Sequence, residues 1–83
     1  MYKLFLQKKV ERYLYKLDKL SQERVREKFD NLMANPELGK PLTGKLAGLW
    51  SLRIGKYRAL YKVIHNELVI IIIDLDKRDR IYE

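Results

Sequence analysis

The chain has 83 residues, of which 47% are hydrophobic and 35% are charged, and its formal net charge is +7. This composition excludes a disordered segment, and we expect residues 1–83 to form a single small domain with a modest core. The sequence has no cysteine and one histidine, which excludes disulfide bonds, thiolate metal sites and a histidine metal centre. We therefore expect no metal and no cofactor.

The positive charge favours polyanionic partners, such as nucleic acid or an acidic protein, and carries no information about the fold. The first ten residues are too charged for a signal peptide, and the apolar residues 68–73 are too few to span a membrane. We expect a cytoplasmic protein with no membrane partner.

The first half of the chain predicts a strand followed by two helices. Residues 2–6 form a short, mainly apolar segment, which is typical of a strand. An apolar stripe with helical spacing follows, at Val10, Tyr13, Leu14 and Leu17. Residues 18–20 interrupt this pattern, and Ser21 is the expected N-cap of the second helix. A second apolar stripe follows, at Val25, Phe29, Leu32 and Met33. This helix should end before Pro36, because the residue preceding a proline avoids the helical region.

The second half predicts a loop over residues 35–48 and then three strands. The strands are expected at residues 49–54, 57–64 and 68–75. The order β-α-α-β-β-β predicts the α+β class, with an antiparallel sheet in a meander and the N-terminal helical hairpin packed on one face. Gly55-Lys56 fits a two-residue type II′ turn between the first two of these strands.

This turn places Arg53 directly opposite Arg58, because cross-strand partners share a face and successive residues alternate. The face expected under the helices holds Trp50, Leu52, Ile54, Tyr57, Ala59 and Tyr61. The opposite face, which we call the outer face, holds Ser51, Arg53, Arg58, Leu60 and Lys62.

Two like charges in register destabilise a sheet by roughly 0.2–1 kcal/mol, so the arginine pair calls for a compensating partner. One interpretation is an ion pair with an aspartate of the last segment, that is Asp74, Asp76 or Asp79. The other is an anion site, in which two guanidinium groups bind a phosphate through paired hydrogen bonds. The hairpin alone leaves both open.

The end of the chain adds further candidates. In a meander the exit of the last strand lies beside the hairpin, so Arg78 or Arg80 can join the arginine pair. Tyr82 supplies a phenol that can donate a hydrogen bond or stack on a base. Several arginines and a tyrosine without metal ligands suit stabilisation of a dianionic transition state in RNA cleavage. The alternative is a solvated terminus with internal ion pairs.

Two segments resemble the RelE/ParE toxins of type II toxin–antitoxin modules: LWSLRIGKYRALYKV at residues 49–63 and DLDKRDRIYE at residues 74–83. The first carries the pattern aromatic-x-Leu-Arg-x-Gly-x-Tyr-Arg-x-x-Tyr that recurs in that superfamily. The resemblance covers nearly the whole chain. It implies the RelE-like fold and a hetero-oligomer with a cognate antitoxin, which should be small, acidic and encoded next to the toxin.

Similarity to the RelE branch implies a metal-independent mRNA endonuclease that works on the ribosome. In that branch the ribose 2′-OH attacks the adjacent phosphate and gives a 2′,3′-cyclic phosphate and a 5′-OH. The catalytic residues implied are Arg53 and Arg58 on the scissile phosphate, Arg78 on the charge of the transition state or the leaving oxygen, and Tyr82 on a base. The implied RNA-binding residues are Ser51, Lys56, Lys77 and Arg80.

One departure from the RelE branch lies in the β-hairpin. A lysine pair usual there is replaced by Ser51 and Arg53, and arginine is a poor general base because it stays protonated. Tyr82 or Lys56 with a lowered pKa would have to serve, or the ribosome would have to position the 2′-OH.

Two further functions stay open on sequence grounds. One is a ParE-like toxin that inhibits DNA gyrase, and the other is a degenerate toxin that only binds its antitoxin. All three functions imply a surface for the antitoxin. We expect it on the outer face, where apolar groups would otherwise be exposed, at Leu60, Lys62 and Ile64.

Overall fold

The computed structural model describes residues 1–79, so the predictions for Arg80 and Tyr82 lie outside the described residues. Its elements are β1 (Lys3–Leu6), α1 (Lys8–Lys16), α2 (Lys19–Ala34), β2 (Lys40–Pro41), β3 (Trp50–Ile54), β4 (Tyr57–Ile64) and β5 (Val69–Lys77). The α+β class and the predicted order of elements are confirmed. The two-residue strand β2 is an addition, within the segment expected to be a loop.

The five strands form one sheet in the order β1-β5-β4-β3-β2. The pairs β2–β3, β3–β4 and β4–β5 are antiparallel, as expected of a meander. The first strand pairs in parallel with the last one. The sheet is therefore mixed, although mostly antiparallel, and β4 is its central strand.

The two predicted apolar stripes are buried against one face of the sheet. From the helices the core takes Val10, Leu14, Val25, Phe29 and Leu32. From the strands it takes Leu52, Ile54, Tyr57, Ala59, Tyr61, Ile70, Ile72 and Leu75. Each large apolar side chain contributes about 1.5–3 kcal/mol when fully buried, so this interface is the main source of stability. No helix formed by residues 1–79 has the length and apolar character needed to cross a membrane.

The N-cap of α2 is Asp18, so the prediction of Ser21 for that position was wrong. Asp18 Oδ2 accepts a hydrogen bond from the Ser21 backbone N–H at 3.1 Å, and its Oδ1 accepts one from the Ser21 hydroxyl at 2.7 Å. Asp18 takes the cap because its carboxylate satisfies a backbone donor of the first turn, and Ser21 is already helical. The helix ends at Ala34, before Asn35-Pro36, as predicted.

The β3–β4 hairpin has the predicted register, with Arg53 opposite Arg58 and Trp50 opposite Tyr61. Gly55 has a φ of 58°, and Leu68 is the one non-glycine residue with positive φ among residues 1–79. Lys56 therefore keeps a negative φ. Positive φ at the first turn residue alone is the type II′ pattern, which fits the twist of the flanking strands.

Between β4 and β5 the register shifts by one residue. Tyr61 pairs with Ile72 while Leu60 pairs with Asp74, so Ile73 is the additional residue of a β-bulge. Because side chains alternate along a strand, the shift reverses which residues of the following segment face the helices. Leu75 joins the core, and Asp76 is paired with Arg58 on the outer face.

Candidate anion-binding site

The arginine pair lies on the outer face, away from the helices. Arg53 is exposed and Arg58 is partly buried, and the hairpin register places them side by side. Both are held by regular strands at the end next to the Gly55-Lys56 turn. Their position is thus fixed by the backbone and does not depend on a mobile loop.

Asp76 of β5 lies beside Arg58 on the side opposite to Arg53. Its Oδ1 accepts a hydrogen bond from the Lys77 backbone N–H at 2.7 Å. Asp74 is engaged elsewhere, since its Oδ1 lies 3.8 Å from Lys9 Nζ. The row Arg53–Arg58–Asp76 therefore carries two positive charges and one negative charge.

Next to this row the surface forms a groove of about 580 Å³. We call it the basic groove. Its lining is Lys28, Leu38, Gly39, Lys40, Pro41, Leu42, Ser51, Leu52, Arg53 and Arg58. Among residues 1–79 this lining includes four cationic side chains and no carboxylate. Such a surface attracts anions, and the geometry of guanidinium groups matches that of a phosphate in particular.

One wall of the basic groove is the segment of residues 38–42, and Tyr61 holds it in place. The Tyr61 hydroxyl donates a hydrogen bond to the Pro36 carbonyl at 2.8 Å and accepts one from the Gly39 N–H at 2.9 Å. Burial raises the pKa of Tyr61 above its usual value of 10.0. The hydroxyl therefore stays protonated at neutral pH and can keep donating to Pro36.

Glycine is required at position 39 of this wall. A Cβ atom there would overlap the Ser51 carbonyl oxygen and would lie 2.7 Å from the Tyr61 hydroxyl. The close approach lets β2 pair with β3, with Lys40 opposite Ser51. The wall is thus fastened to the sheet at two points, by the Tyr61 hydroxyl and by the β2–β3 pairing.

Three further predicted site residues lie around the hairpin turn. Lys56, Lys77 and Arg78 line a separate depression of about 290 Å³, together with Asp79. The backbone N–H of Arg78 donates to the Lys56 carbonyl at 3.0 Å, which places the exit of β5 beside the turn, as expected. The structure thus brings Ser51, Arg53 and Arg58 into one groove and Arg78 into a separate depression beside the hairpin turn.

The surface expected for an antitoxin differs from the prediction in one respect. Leu60 is only 6% exposed, so it does not offer the exposed apolar group that was expected. It lies on the central strand, paired with Ser51 on one side and with Asp74 on the other. Lys62 is exposed and Ile64 is partly exposed.

Exposed apolar surface on the outer face lies instead towards β1. Phe5 is 53% exposed there and is paired with Ile71.

Sequence reasoning missed Lys28 and Lys40 as members of the basic groove. Lys28 directly precedes Phe29 and follows Val25 by one turn, so its position at the border of the buried stripe of α2 was a usable signal. Lys40 had no such signal, because its place depends on the pairing of β2 with β3. Residues 1–79 contain no group of three or more histidine, aspartate or glutamate side chains that could hold a metal ion.

The basic groove can bind and stabilise negative charge, and its arginines are unsuited to take up a proton. Ser51 is buried at 9% exposure and adds a hydroxyl to the lining. The described part of the site therefore matches electrostatic stabilisation of a phosphate better than general base catalysis.

Comparisons with known proteins agree with this fold. A family model described as the ParE toxin of the type II toxin–antitoxin system, parDE, matches residues 4–82. Toxin RelG of Mycobacterium tuberculosis is 40% identical over 55 residues, which is 65% of this chain and 63% of RelG. The match therefore spans slightly less than two thirds of that relative.

Two solved structures are similar over nearly their whole length. The toxin–antitoxin complex RelBE2 of Mycobacterium tuberculosis has a TM-score of 0.84 and 34% identity, and the match covers 93% of this chain and 91% of the other. The archaeal RelE–RelB complex of Pyrococcus horikoshii has a TM-score of 0.78 and 32% identity, with 95% and 97% covered.

Proposed function

We propose that this chain, which belongs to the family of ParE toxins of type II toxin–antitoxin systems within the RelE/ParE group, is a ribosome-dependent mRNA endonuclease. The observation that carries the proposal is the arginine pair, Arg53 and Arg58, in a groove lined by four cations and no carboxylate among the described residues. A scissile phosphate bound between the two guanidinium groups would have its negative charge neutralised as the 2′-OH attacks.

The roles in this proposal follow from the chemistry of the side chains. Arg53 and Arg58 bind the phosphate and stabilise the charge that develops on its oxygens. Arg78, in the separate depression beside the hairpin turn, acts on the leaving oxygen, and Tyr82 orients a base. Ser51, Lys56, Lys77 and Arg80 contact the RNA backbone. The proton of the 2′-OH passes to a base, for which Tyr82 and Lys56 are the candidates, and the leaving 5′ oxygen takes up a proton with the help of Arg78.

We further propose that the toxin forms a cytoplasmic hetero-oligomer with an antitoxin. Two of the similar solved structures are toxin–antitoxin complexes. The outer face supports such a partner, since Phe5 is 53% exposed beside Ile71 and Lys62 is exposed nearby. A segment covering Lys62, Ile64 and this apolar surface would bury it and would limit access to the arginine pair.

The test is primer extension on translated mRNA after brief expression of the wild type and of the double variant Arg53→Ala, Arg58→Ala. Cuts in phase with codons are expected for the wild type and should disappear in the double variant. Lys16→Ala, Lys45→Ala is the matched control, because it removes the same charge from exposed positions outside the basic groove and should leave the cuts in place.

Inhibition of DNA gyrase is the second candidate, and the ParE description of the matching family favours it. Growth arrest with intact mRNA and defective DNA supercoiling would support this candidate and contradict the endonuclease. If expression of the protein causes no growth arrest and the protein still binds its antitoxin, it is a toxin that has lost its activity.

A further inference from the structure

The basic groove is larger than the arginine pair requires. Its volume of about 580 Å³ lies within the range of roughly 300–1,000 Å³ that is usual for pockets holding a drug-sized ligand. Arg53 and Arg58 come from the β3–β4 hairpin, next to its turn. Most of the remaining lining comes from the wall of residues 38–42 and from Lys28 of α2.

This second part of the lining has its own cations. Lys40 is exposed and Lys28 is partly exposed. Neither lysine forms an ion pair within 4.0 Å with a carboxylate of the described residues. The wall also offers an apolar strip, with Leu38 38% exposed and Pro41 exposed.

We infer that Lys28, Lys40 and the wall form a second subsite, which binds the phosphate and nucleoside that flank the phosphate held by Arg53 and Arg58. The inference rests on the proposed function, because it names the ligand class of the same groove as single-stranded RNA. The lysines bind the flanking phosphate as point charges, and the apolar strip accepts the sugar or the base.

Tyr61 is a positioning residue for this subsite and not a catalytic one. Its hydroxyl fixes the wall through Pro36 and Gly39, at 2.8 Å and 2.9 Å. Removal of the hydroxyl leaves the Gly39 N–H without its partner in a confined space. Lys40 follows Gly39 directly, so a loosened wall displaces this lysine from the groove.

The test measures the affinity of two uncleavable RNA probes with 2′-O-methyl groups, a dinucleotide with one phosphate and a tetranucleotide with three. The variant Lys28→Gln, Lys40→Gln should bind the dinucleotide like the wild type and the tetranucleotide several-fold more weakly. The salt dependence of tetranucleotide binding should also fall, by about 0.7 in the log–log slope for each lost contact to a single strand. Lys16→Gln, Lys45→Gln is the control of equal charge and should keep the wild-type slope.

Tyr61→Phe provides a second variant that removes no charge. It should bind the tetranucleotide more weakly than the wild type does and the dinucleotide equally well. Its circular dichroism spectrum should show an intact fold. Equal losses for both probes, equal losses in the control, or a wild type that binds the tetranucleotide no better than the dinucleotide would overturn the inference. Loss of binding to a polyglutamate peptide but not to RNA would assign the subsite to an acidic protein and would also overturn it.

The two proposals fail separately. Probe binding that depends on Lys28 and Lys40, together with intact mRNA in primer extension, would retain the RNA subsite and refute the endonuclease. The opposite result is that the double variant Lys28→Gln, Lys40→Gln still gives codon-phased cuts and binds both probes with wild-type affinity. That result would retain the endonuclease and refute the subsite.

Discussion

Asp76 lies directly opposite Arg58 across the β4–β5 pair, and this relationship depends on the bulge at Ile73. The pairing of Ile64 with Val69, continued without a bulge, would place Leu75 opposite Arg58. It would also turn Asp74 and Asp76 towards the helices. The bulge thus places one carboxylate beside the arginine pair and keeps two charges out of the core.

This arrangement predicts that Asp76 weakens anion binding by the arginine pair. Asp76→Asn removes the negative charge and should tighten RNA binding by up to roughly fivefold, since opposed charges in a sheet interact by about 0.2–1 kcal/mol. Fluorescence anisotropy at low salt checks it. Asp30→Asn, which makes the same charge change at an exposed position of α2, should have a smaller effect, and equal effects would contradict a local role for Asp76.

The Ser51 carbonyl and the Tyr61 hydroxyl lie close to Gly39. We therefore predict that a larger residue at position 39 strongly destabilises the protein. Gly39→Ala places a methyl group against the Ser51 carbonyl and 2.7 Å from the Tyr61 hydroxyl, so the wall must shift. We expect the free energy of unfolding to fall by about 1–3 kcal/mol, as is typical of overpacked sites. Urea denaturation measures it. Leu38→Ala at the neighbouring position, which is more exposed, should cost about 0.5 kcal/mol or less.

The Tyr61 hydroxyl predicts an alkaline dependence of stability. Its pKa is raised in the folded state, so its contribution to stability is complete below its usual value of 10.0 and is lost as the pH rises through the folded value. Tyr61→Phe should be less stable than the wild type by about 1 kcal/mol at neutral pH, and the difference should shrink above pH 10. Thermal melts across this range check it. A difference that stays constant with pH would show that the hydroxyl does not titrate as expected.

The N-cap of α2 predicts that the stability of the protein falls at acidic pH. Hydrogen bonds from the Ser21 hydroxyl and the Ser21 backbone N–H hold the pKa of Asp18 below its usual value of 3.8. Its contribution is therefore present above that value and is lost as the pH falls through the lower folded value. Asp18→Asn keeps a capping side chain and removes the titration. Melts below pH 4 should show a steeper decline for the wild type than for the variant, and parallel declines would contradict this cause.

The sequence by itself determined the helical stripes, the end of α2 before Pro36 and the register of the β3–β4 hairpin. These features are local, because a period of 3.6 or 2 and a two-residue turn are fixed by neighbouring residues. The pairing of Arg53 with Arg58 belongs to this group, which is why the centre of the candidate site could be predicted.

Only the tertiary structure decided what surrounds that pair. The parallel placement of β1, the bulge that brings Asp76 to Arg58, and the wall held by Tyr61 all depend on contacts between residues far apart in the chain. Lys28 and Lys40 enter the groove for the same reason, since one comes from a helix and the other from a two-residue strand. No local period encodes such contacts, because their free energy comes from packing and hydrogen bonds that exist only once the sheet and helices have assembled.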